Sequence, residues 1–388
     1  MNIEKWPHYD SDEIEAARNV LMSGKVNYWT GNECKLFERE FAEYTNTKYG
    51  ISIANGTLAL TAAYEAIEIK AGDEVITTPR TFIATASSAA MLGAKVRFAD
   101  VDIDSGCITP ETIEPLINKK TKAIAVVHLN GWPANMQRIC NLAKSYGLYV
   151  IEDCAQAHGA KIEGKSVGSF GDIAAWSFCQ DKILTTGGEG GFITTNNQLI
   201  NQTICSLRDH GKNISLATQP NKKVGFRWLH ESLGSNFRMT EFQSAIGRLQ
   251  LKKLNNWNKI RNRNSYILKS YLDHCELARI PTPEKSLTHA WYKFYIYLKP
   301  ELFLPSWNRE QVINEINKKG YPAFTGSCSE IYLEKSFKKL GLAPLRRLNN
   351  AKELGETSIA FLVHPTISEK QMHEYAAQIS DILKKAKR

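Results

Sequence analysis

Lys182 and Asp153 are the residues whose types and surroundings could do chemistry together. Lys182 stands in Ser177-Phe-Cys-Gln-Asp-Lys182 and leads into the glycine-rich run Thr185-Thr-Gly-Gly-Glu-Gly-Gly191. Upstream, the apolar run Val150-Ile-Glu-Asp153 stops at two acids and continues into Cys154, Ala155 and Gln156. A lysine amine can form a Schiff base with an aldehyde. A buried carboxylate can keep a pyridine nitrogen protonated, and backbone N–H groups in glycine-rich turns can carry a phosphate. Those three needs belong to pyridoxal 5′-phosphate (PLP). A lone lysine is ordinarily a surface charge. This one is bracketed by a serine and by glycines that break any long helix, which places it on a tight loop.

Further positions fit the same cofactor, each with an ordinary reading beside it. Ala54-Asn55-Gly56-Thr57 ends an apolar stretch and opens a helical one. Free N–H groups and the dipole at a helix start attract anions, and Gly56 allows close approach. The same tetrapeptide is also a common turn with a common cap. Phe82 could stack on a cofactor ring or belong to the core. Asp153 could instead cap a helix or bind a metal with Cys154 and His158, but no second Cys/His cluster completes a coordination shell, so no metal is expected. Gly159-Ala-Lys-Ile-Glu-Gly164-Lys165-Ser166 matches the G-x-x-x-x-G-K-S/T phosphate-loop pattern. That loop needs a strand directly before and a helix directly after. Val167-Gly-Ser-Phe-Gly-Asp172 is a poor helix start, and a hairpin turning at Glu163-Gly164 is expected instead.

Positioning these residues requires strand ends to converge. Tyr49–Ala54, Asp73–Thr78, Lys95–Ala99, Ala123–His128 and Tyr149–Glu152 read as short apolar strands. Helices are expected over Thr57–Ile69, Thr81–Leu92 and Met136–Tyr146. Non-alternating apolar strands separated by helices indicate a largely parallel sheet covered on both faces. Asn55, Thr78, His128 and Asp153 fall at or just after strand ends, where ligands collect in such sheets. From about Thr240 the pattern changes to a helix over Glu241–Lys259, followed by what reads as a small α+β domain. The expected organisation is a large domain over residues 1–250, with an N-terminal arm, and a smaller one over 251–388. Residues 211–234 are polar, aromatic and aperiodic, and a loop that long is usually functional or interfacial.

The 388 residues carry a net charge of +9, with the basic residues scattered, which argues against nucleic-acid binding. The eight cysteines form no C-x-x-C pair and read as buried, reduced thiols of a cytoplasmic protein. The N-terminus, Met1 to Pro7, has no apolar leader core, and no apolar run approaches a membrane span.

Asp153, Gln156, Ser177, Lys182 and the glycine-rich run together resemble the DegT/DnrJ/EryC1/StrS family of PLP-dependent nucleotide-sugar aminotransferases. The resemblance runs from Gly24-Lys-Val-Asn-Tyr-Trp-Thr-Gly31 to Val363-His-Pro365. It implies the α/β type I fold of aspartate aminotransferase. It also implies that Gly56, Thr57 and Ser177 hold the cofactor phosphate, Phe82 stacks on the ring and Gln156 meets it. Asp153 would pair with the ring nitrogen, and Lys182 would carry the cofactor. His230, Gly234, Asn236 and Arg238 resemble the family segment H-x-x-x-G-x-N-x-R, whose asparagine reaches the cofactor phosphate held by a neighbouring subunit. A homodimer with shared active sites is thereby implied, with 211–234 as the crossing loop.

Two places depart from the family pattern. Phe324-Thr-Gly-Ser-Cys-Ser-Glu-Ile-Tyr332 stands where many members have Y-x-x-P-L-H near the sugar, and Arg80 precedes the stacking turn. Dehydratase relatives replace the lysine with histidine, and Lys182 disfavours that subclass. The implied reaction moves an amino group from L-glutamate, leaving 2-oxoglutarate, to a nucleotide-linked keto-deoxysugar. The expected acceptor is a UDP-linked 4-keto-6-deoxy-N-acetylhexosamine, giving a 4-amino sugar for a surface glycan such as lipopolysaccharide O-antigen. Alternatives are a dTDP- or GDP-linked 3- or 4-keto-6-deoxyhexose. A PLP-dependent sugar dehydratase and a non-catalytic regulator on the same fold are the readings from other classes.

Overall fold

The computed structural model describes residues 4–219 and 225–388. The start of the N-terminal reading, Met1–Ile3, and residues 220–224 of the aperiodic stretch lie outside the described residues. The chain first lays down β1 (Tyr49–Ile53), β2 (Glu74–Thr77), β3 (Lys95–Phe98), β4 (Thr121–Val127) and β5 (Tyr149–Asp153). The short hairpin β6 (Lys161–Ile162) and β7 (Lys165–Ser166) follows, then β8 (Ile173–Ser177) and β9 (Gly191–Thr195). Seven of these form one sheet in the order β1-β9-β8-β5-β4-β2-β3. All neighbouring pairs from β8 to β3 are parallel, and β9 alone runs against its neighbours β1 and β8. Every residue of β2, β8 and β9 is buried, which explains apolar runs that do not alternate: both faces are covered.

The covering helices are α1 (Ser11–Ser23), α2 (Glu33–Thr45), α3 (Gly56–Ala66), α4 (Ala84–Met91), α5 (Pro110–Ile113), α6 (Met136–Ser145) and α7 (Gln198–Arg208). The cap of α3 is Asn55, whose side chain accepts from the Leu58 N–H at 2.9 Å, so Thr57 lies inside the helix. The helix expected from Thr81 begins only at Ala84. Arg80 N donates to Thr78 Oγ1 at 3.1 Å, and this side-chain-closed turn replaces the first helical turn, leaving Phe82 on the intervening loop. At the β6–β7 turn, Glu163 (φ 48°) and Gly164 (φ 81°) both adopt left-handed conformations, as a two-residue hairpin requires. Strands flank this segment and no helix follows Ser166, so the phosphate-loop pattern has none of its necessary context.

A short helix, α8 (Ile214–Thr218), sits within the stretch read as aperiodic. The next helix, α9 (Glu241–Leu272), runs well past the expected end at Lys259 because neither proline nor a later glycine interrupts residues 248–272. It crosses residue 250 without a break, so the expected boundary falls inside one helix. Leu251 and Leu254 pack with the aromatic core around Phe37, Phe41 and Phe178, while Ile267, Leu268 and Leu272 enter the core of the smaller part. Burying each such side chain contributes about 1.5–3 kcal/mol. The helix is thus a shared spine.

The smaller part is a sheet of β10 (Ala278–Arg279), β12 (Phe294–Leu298), β14 (Ser358–Phe361) and β13 (Ala323–Phe324), in that order and antiparallel. Helices α10 (Arg309–Lys318), α11 (Lys335–Lys339), α12 (Asn349–Thr357) and α13 (Glu369–Ala386) accompany it. Strand β11 (Leu287–Thr288) pairs back onto β6 and ties the two parts together. Among the described residues, no helix is long and apolar enough to cross a membrane.

Candidate active site

A cavity of about 610 Å³ opens where β4, β5 and β8 end and α3 begins. Asp153, Gln156, Ser177 and Lys182 line it, as do Gly56, Thr57 and Phe82. The sheet therefore gathers residues that lie more than a hundred positions apart. Asn236 is not among the lining residues.

Asp153 is the last residue of β5 and is buried. Its Oδ2 accepts from Thr85 Oγ1 at 2.7 Å and its Oδ1 from Ala155 N at 3.1 Å. Thr85 is itself fixed: its hydroxyl lies 2.9 Å from that of Thr81, and its carbonyl accepts from Tyr64 at 2.7 Å. Burial pushes the Asp153 carboxyl above the ordinary aspartate range, against the Thr85 and Ala155 hydrogen bonds and the positive charge of Lys182. Such a carboxylate suits a cationic group entering from the cavity, as a protonated pyridine nitrogen would.

At the opposite end the backbone closes tightly around the start of α3. A Cβ on Gly56 would come within 2.7 Å of Ser177 Cβ, and one on Gly191 within 2.8 Å of Gly56 N. Only glycines let β8 and β9 approach the helix start this closely. The first N–H groups of a helix have no intrahelical acceptor, and Asn55 satisfies that of Leu58. The N–H groups of Gly56 and Thr57, with the Ser177 hydroxyl, remain to receive an anion.

Between these ends lie Gln156 and Lys182. The Gln156 Oε1 accepts from Asn130 N at 2.7 Å, which leaves Nε2 as the donor available to the cavity. The Lys182 loop is closed by the glycine-rich run: Phe178 N donates to Gly190 O at 2.8 Å and Gln180 N to Gly188 O at 2.9 Å. Trp6 Nε1 donates to the Lys182 carbonyl at 2.8 Å, so the N-terminal arm holds the loop from outside. The tight loop expected around Lys182 is present, and only 15% of the lysine side chain is exposed.

Glu152, one residue before Asp153, points the other way and is structural. Its oxygens accept from Gly168 N, Phe170 N and Gly171 N at 2.7–2.8 Å and from His128 Nε2 at 3.0 Å. Burial pushes its carboxyl up, but these bonds and the His128 pairing outweigh it and hold it below the ordinary range. His128 Nδ1 accepts from Ala134 N at 3.1 Å. His128, Glu152 and Cys154 lie close enough together to suggest a metal, but both imidazole nitrogens and both carboxylate oxygens already have partners. His158 sits among Trp176 and Phe178, and burial lowers its pKa to about 3. All eight cysteines are free; Cys179 is half-buried at the cavity and Cys328 is exposed, so the thiols are not uniformly buried as expected.

A second cavity of about 350 Å³ shares Asp181 with the first and is lined by Lys5, Trp6, Arg261, Lys293 and Phe324. The two departures noted in the sequence meet close by. Arg80, fully buried, donates to Ser329 Oγ at 2.7 Å, and Ile331 N donates to Pro79 O at 3.0 Å. Arg80 and the Ser327–Tyr332 stretch are thereby joined directly.

The H-x-x-x-G-x-N-x-R segment lies apart from the cavity. Asn236 is exposed and bridges to Asp209, and among the described residues its side chain accepts from Arg238 N at 3.3 Å. Arg238 is held by Asp209 at 2.7 Å. Sequence reasoning did not find Thr85, Tyr292 or Asp181. Thr85 could have been found as the residue one helical turn from Thr81; nothing local marks Tyr292.

A family model described as the DegT/DnrJ/EryC1/StrS aminotransferase family matches residues 7–380. The chain belongs to this family. The DegT-family protein is a PLP-dependent aminotransferase acting on nucleotide sugars. A solved aminotransferase from Psychrobacter cryohalolentis superposes with a TM-score of 0.97 at 48% identity, over 99% of this chain and 100% of that one. The UDP-N-acetyl-3-dehydro-α-D-glucosamine 3-aminotransferase of Acidithiobacillus ferrooxidans is 39% identical over 287 residues, 74% of each chain. The dTDP-3-amino-3,6-dideoxy-α-D-galactopyranose transaminase of Aneurinibacillus thermoaerophilus is 37% identical over 312 residues, 79% of this chain and 81% of that one. The residues present fit PLP: an anion cradle that a Cβ at Gly56 would fill, a buried carboxylate at the far end, and a lysine amine at the wall between them.

Proposed function

We propose that this aminotransferase moves an amino group from L-glutamate to a UDP-linked 4-keto-6-deoxy-N-acetylhexosamine, forming a 4-amino sugar for a surface glycan. It works in the cytoplasm as a homodimer with shared active sites. The observation that carries the reaction class is the cavity holding Lys182 between Asp153 and the Gly56–Ser177 cradle. When bound, PLP supplies an aldehyde carbon and an electron-withdrawing ring. Lys182 Nζ would hold the cofactor and, as the amine in the cavity, would carry the proton between the donor's Cα and the acceptor side. Asp153 would keep the ring nitrogen protonated, Phe82 would stack on the ring and Gln156 Nε2 would donate to it, while Gly56, Thr57 and Ser177 would hold the phosphate and Asn236 would reach the phosphate in the partner subunit.

The acceptor assignment rests on the second cavity. Lys5, Arg261 and Lys293 outnumber the carboxylates Glu4 and Asp181 in that cavity, which suits a diphosphate, and Trp6 and Phe324 supply flat surfaces suited to a base or sugar. The Acidithiobacillus relative is named for a UDP-N-acetyl sugar. That same name specifies amination at C3, which makes a 3-keto UDP-N-acetylhexosamine the second reading. The test is an absorbance scan of the purified protein before and after L-glutamate, followed by a panel of UDP-, dTDP- and GDP-linked 3- and 4-keto sugars. Glutamate should bleach the visible band and the UDP-linked 4-keto sugar should restore it. Restoration by a 3-keto sugar alone would establish the second reading. A band indifferent to glutamate would defeat both.

A further inference from the structure

The loop that presents Lys182 also presents Asp181, and Asp181 forms part of the wall of both cavities. Its Oδ1 lies 3.5 Å from Lys182 Nζ, and its Oδ2 accepts the hydroxyl hydrogen of Tyr292. The Tyr292 ring lies beneath the same ammonium, its centroid 5.2 Å from Nζ. One carboxylate and one aromatic face therefore meet a single cation. Tyr292 is buried and firmly set: its N–H donates to Asn130 O at 3.1 Å, and its carbonyl accepts from Arg261 at 3.3 Å. Asn130 N in turn donates to Gln156 Oε1. Although 53% of the Asp181 side chain is exposed, its orientation is imposed from this buried network.

We propose that Asp181, oriented by Tyr292, is a positioning residue that acts as the counter-ion of Lys182 and favours the proton-loaded form of its Nζ. The inference rests on the role proposed for Lys182 above. When Nζ takes a proton from the donor carbon, a positive charge appears there, and Asp181 offsets it without itself receiving the proton. When that proton is handed on, the carboxylate keeps its bond from Tyr292 and faces a neutral amine. Asp181 is suited to this because it stays ionised. Burial pushes its carboxyl up, but Lys182, the Tyr292 hydroxyl and Lys293 outweigh that and hold it below the ordinary aspartate range.

Among the other charged or titratable groups around this cluster, Glu4, Lys5 and His364 line the second cavity with Asp181, and burial keeps His364 neutral. Lys293 lies on the Tyr292 ring, 5.3 Å from its centroid. Cys179 and Glu189 flank the loop, and burial raises the Cys179 thiol, so it stays protonated. Asp153 and His158 face Lys182 from β5 and the segment after it, the histidine being neutral. Arg261 touches Tyr292 from α9. Asp181 is the carboxylate in salt-bridge range of Nζ among the described residues.

The test uses Asp181→Asn, Tyr292→Phe and Asp181→Glu in two arms. In the first, cofactor-free protein is treated with acetic anhydride at fixed pH, and labelling of Lys182 is measured against surface lysines by mass spectrometry. A unit charge removed at this distance in a solvent-like medium changes the neutral-amine fraction by about tenfold. Labelling of Lys182 should rise about tenfold in Asp181→Asn, less in Tyr292→Phe, and stay near wild type in Asp181→Glu. In the second arm the PLP-loaded proteins are titrated, and the pH at which the visible absorbance changes should fall by about one unit in Asp181→Asn. Labelling within twofold of wild type, with an unmoved absorbance titration, overturns the proposal. Wild-type protein that gives no visible band with PLP would instead defeat the role of Lys182, while the cofactor-free arm still decides Asp181.

Discussion

Asn236 offers the sharpest test of how the active site is built. It is exposed, lies outside the cavity that contains Lys182, and among the described residues its side chain bonds to the neighbouring Arg238 N–H. If it acts, it acts on the site of a second copy. Asn236→Ala alone removes one hydrogen bond to a charged phosphate, about 1.5–3 kcal/mol, so cofactor affinity should fall roughly 10- to 150-fold. Lys182→Ala alone should abolish turnover. Mixed and allowed to exchange, the inactive Lys182→Ala variant and the Asn236→Ala variant, held at a PLP concentration too low to load it, form hybrids in about half of the dimers by random pairing. Each hybrid contains one site with intact Lys182 and intact partner Asn236, and one site lacking both. The mixture should therefore recover about a quarter of the wild-type activity per protein at limiting PLP. Differently tagged subunits, purified through both tags, give the hybrid directly and should show about half. Tag-verified hybrids with no activity would mean that Asn236 serves its own chain, whereas an Asn236→Ala homodimer with wild-type PLP affinity would mean that it serves no site.

Three more outcomes follow from the same geometry. Gly56→Ala drives a Cβ to 2.7 Å from Ser177 Cβ; it should cost about 1–3 kcal/mol in urea denaturation and weaken PLP binding at least tenfold by equilibrium dialysis. Asp153→Asn should leave no transamination yet stabilise the cofactor-free protein near neutral pH. The folded Asp153 carboxyl titrates above its unfolded value of 3.8, so its favourable contribution is present below that value and lost as pH rises through the folded one. The advantage of the asparagine variant over wild type should accordingly shrink as the pH is lowered toward 3.8. Glu152→Gln has the opposite sign. Glu152 is held below 4.5 when folded, so its contribution is present above that value and lost as pH falls through the folded one. The glutamine variant should lose about 3–5 kcal/mol at neutral pH and show a flatter acid-denaturation profile than wild type.

The two neighbouring acids also show what could and could not be read from the sequence. Val150-Ile-Glu-Asp153 announced a buried strand ending in carboxylates, and the alternation of a β-strand places consecutive side chains on opposite faces. Which acid faced the cavity could be named through the family resemblance. What each acid does is decided by partners far away: Glu152 by backbone N–H groups at Gly168, Phe170 and Gly171, and Asp153 by Thr85 across the sheet. Composition and local period carry no information about such long-range pairs. The parallel sheet was legible because its strands are buried on both faces, and the hairpin at Glu163-Gly164 because turn chemistry is local. The true start of α4 was hidden because the Thr78–Arg80 turn competes with the helix through a side chain.

The same reasoning explains why Asp181 escaped notice beside so conspicuous a lysine. In sequence it is a polar residue on a glycine-flanked loop, a setting in which most aspartates simply face water. Its significance comes from Tyr292, 111 residues later, which is held under Lys182 by Asn130 and Arg261 and by the pairing of β11 with the β6–β7 hairpin just before it. The phosphate-loop decoy thus has a structural use: its hairpin helps to hold the segment that presents Tyr292. Weakening that link should move Tyr292 before it disturbs the β5 and β8 ends that hold Asp153 and Ser177. The role proposed for Asp181 can therefore be tested by displacing Tyr292 while Asp153 and Ser177 stay in place.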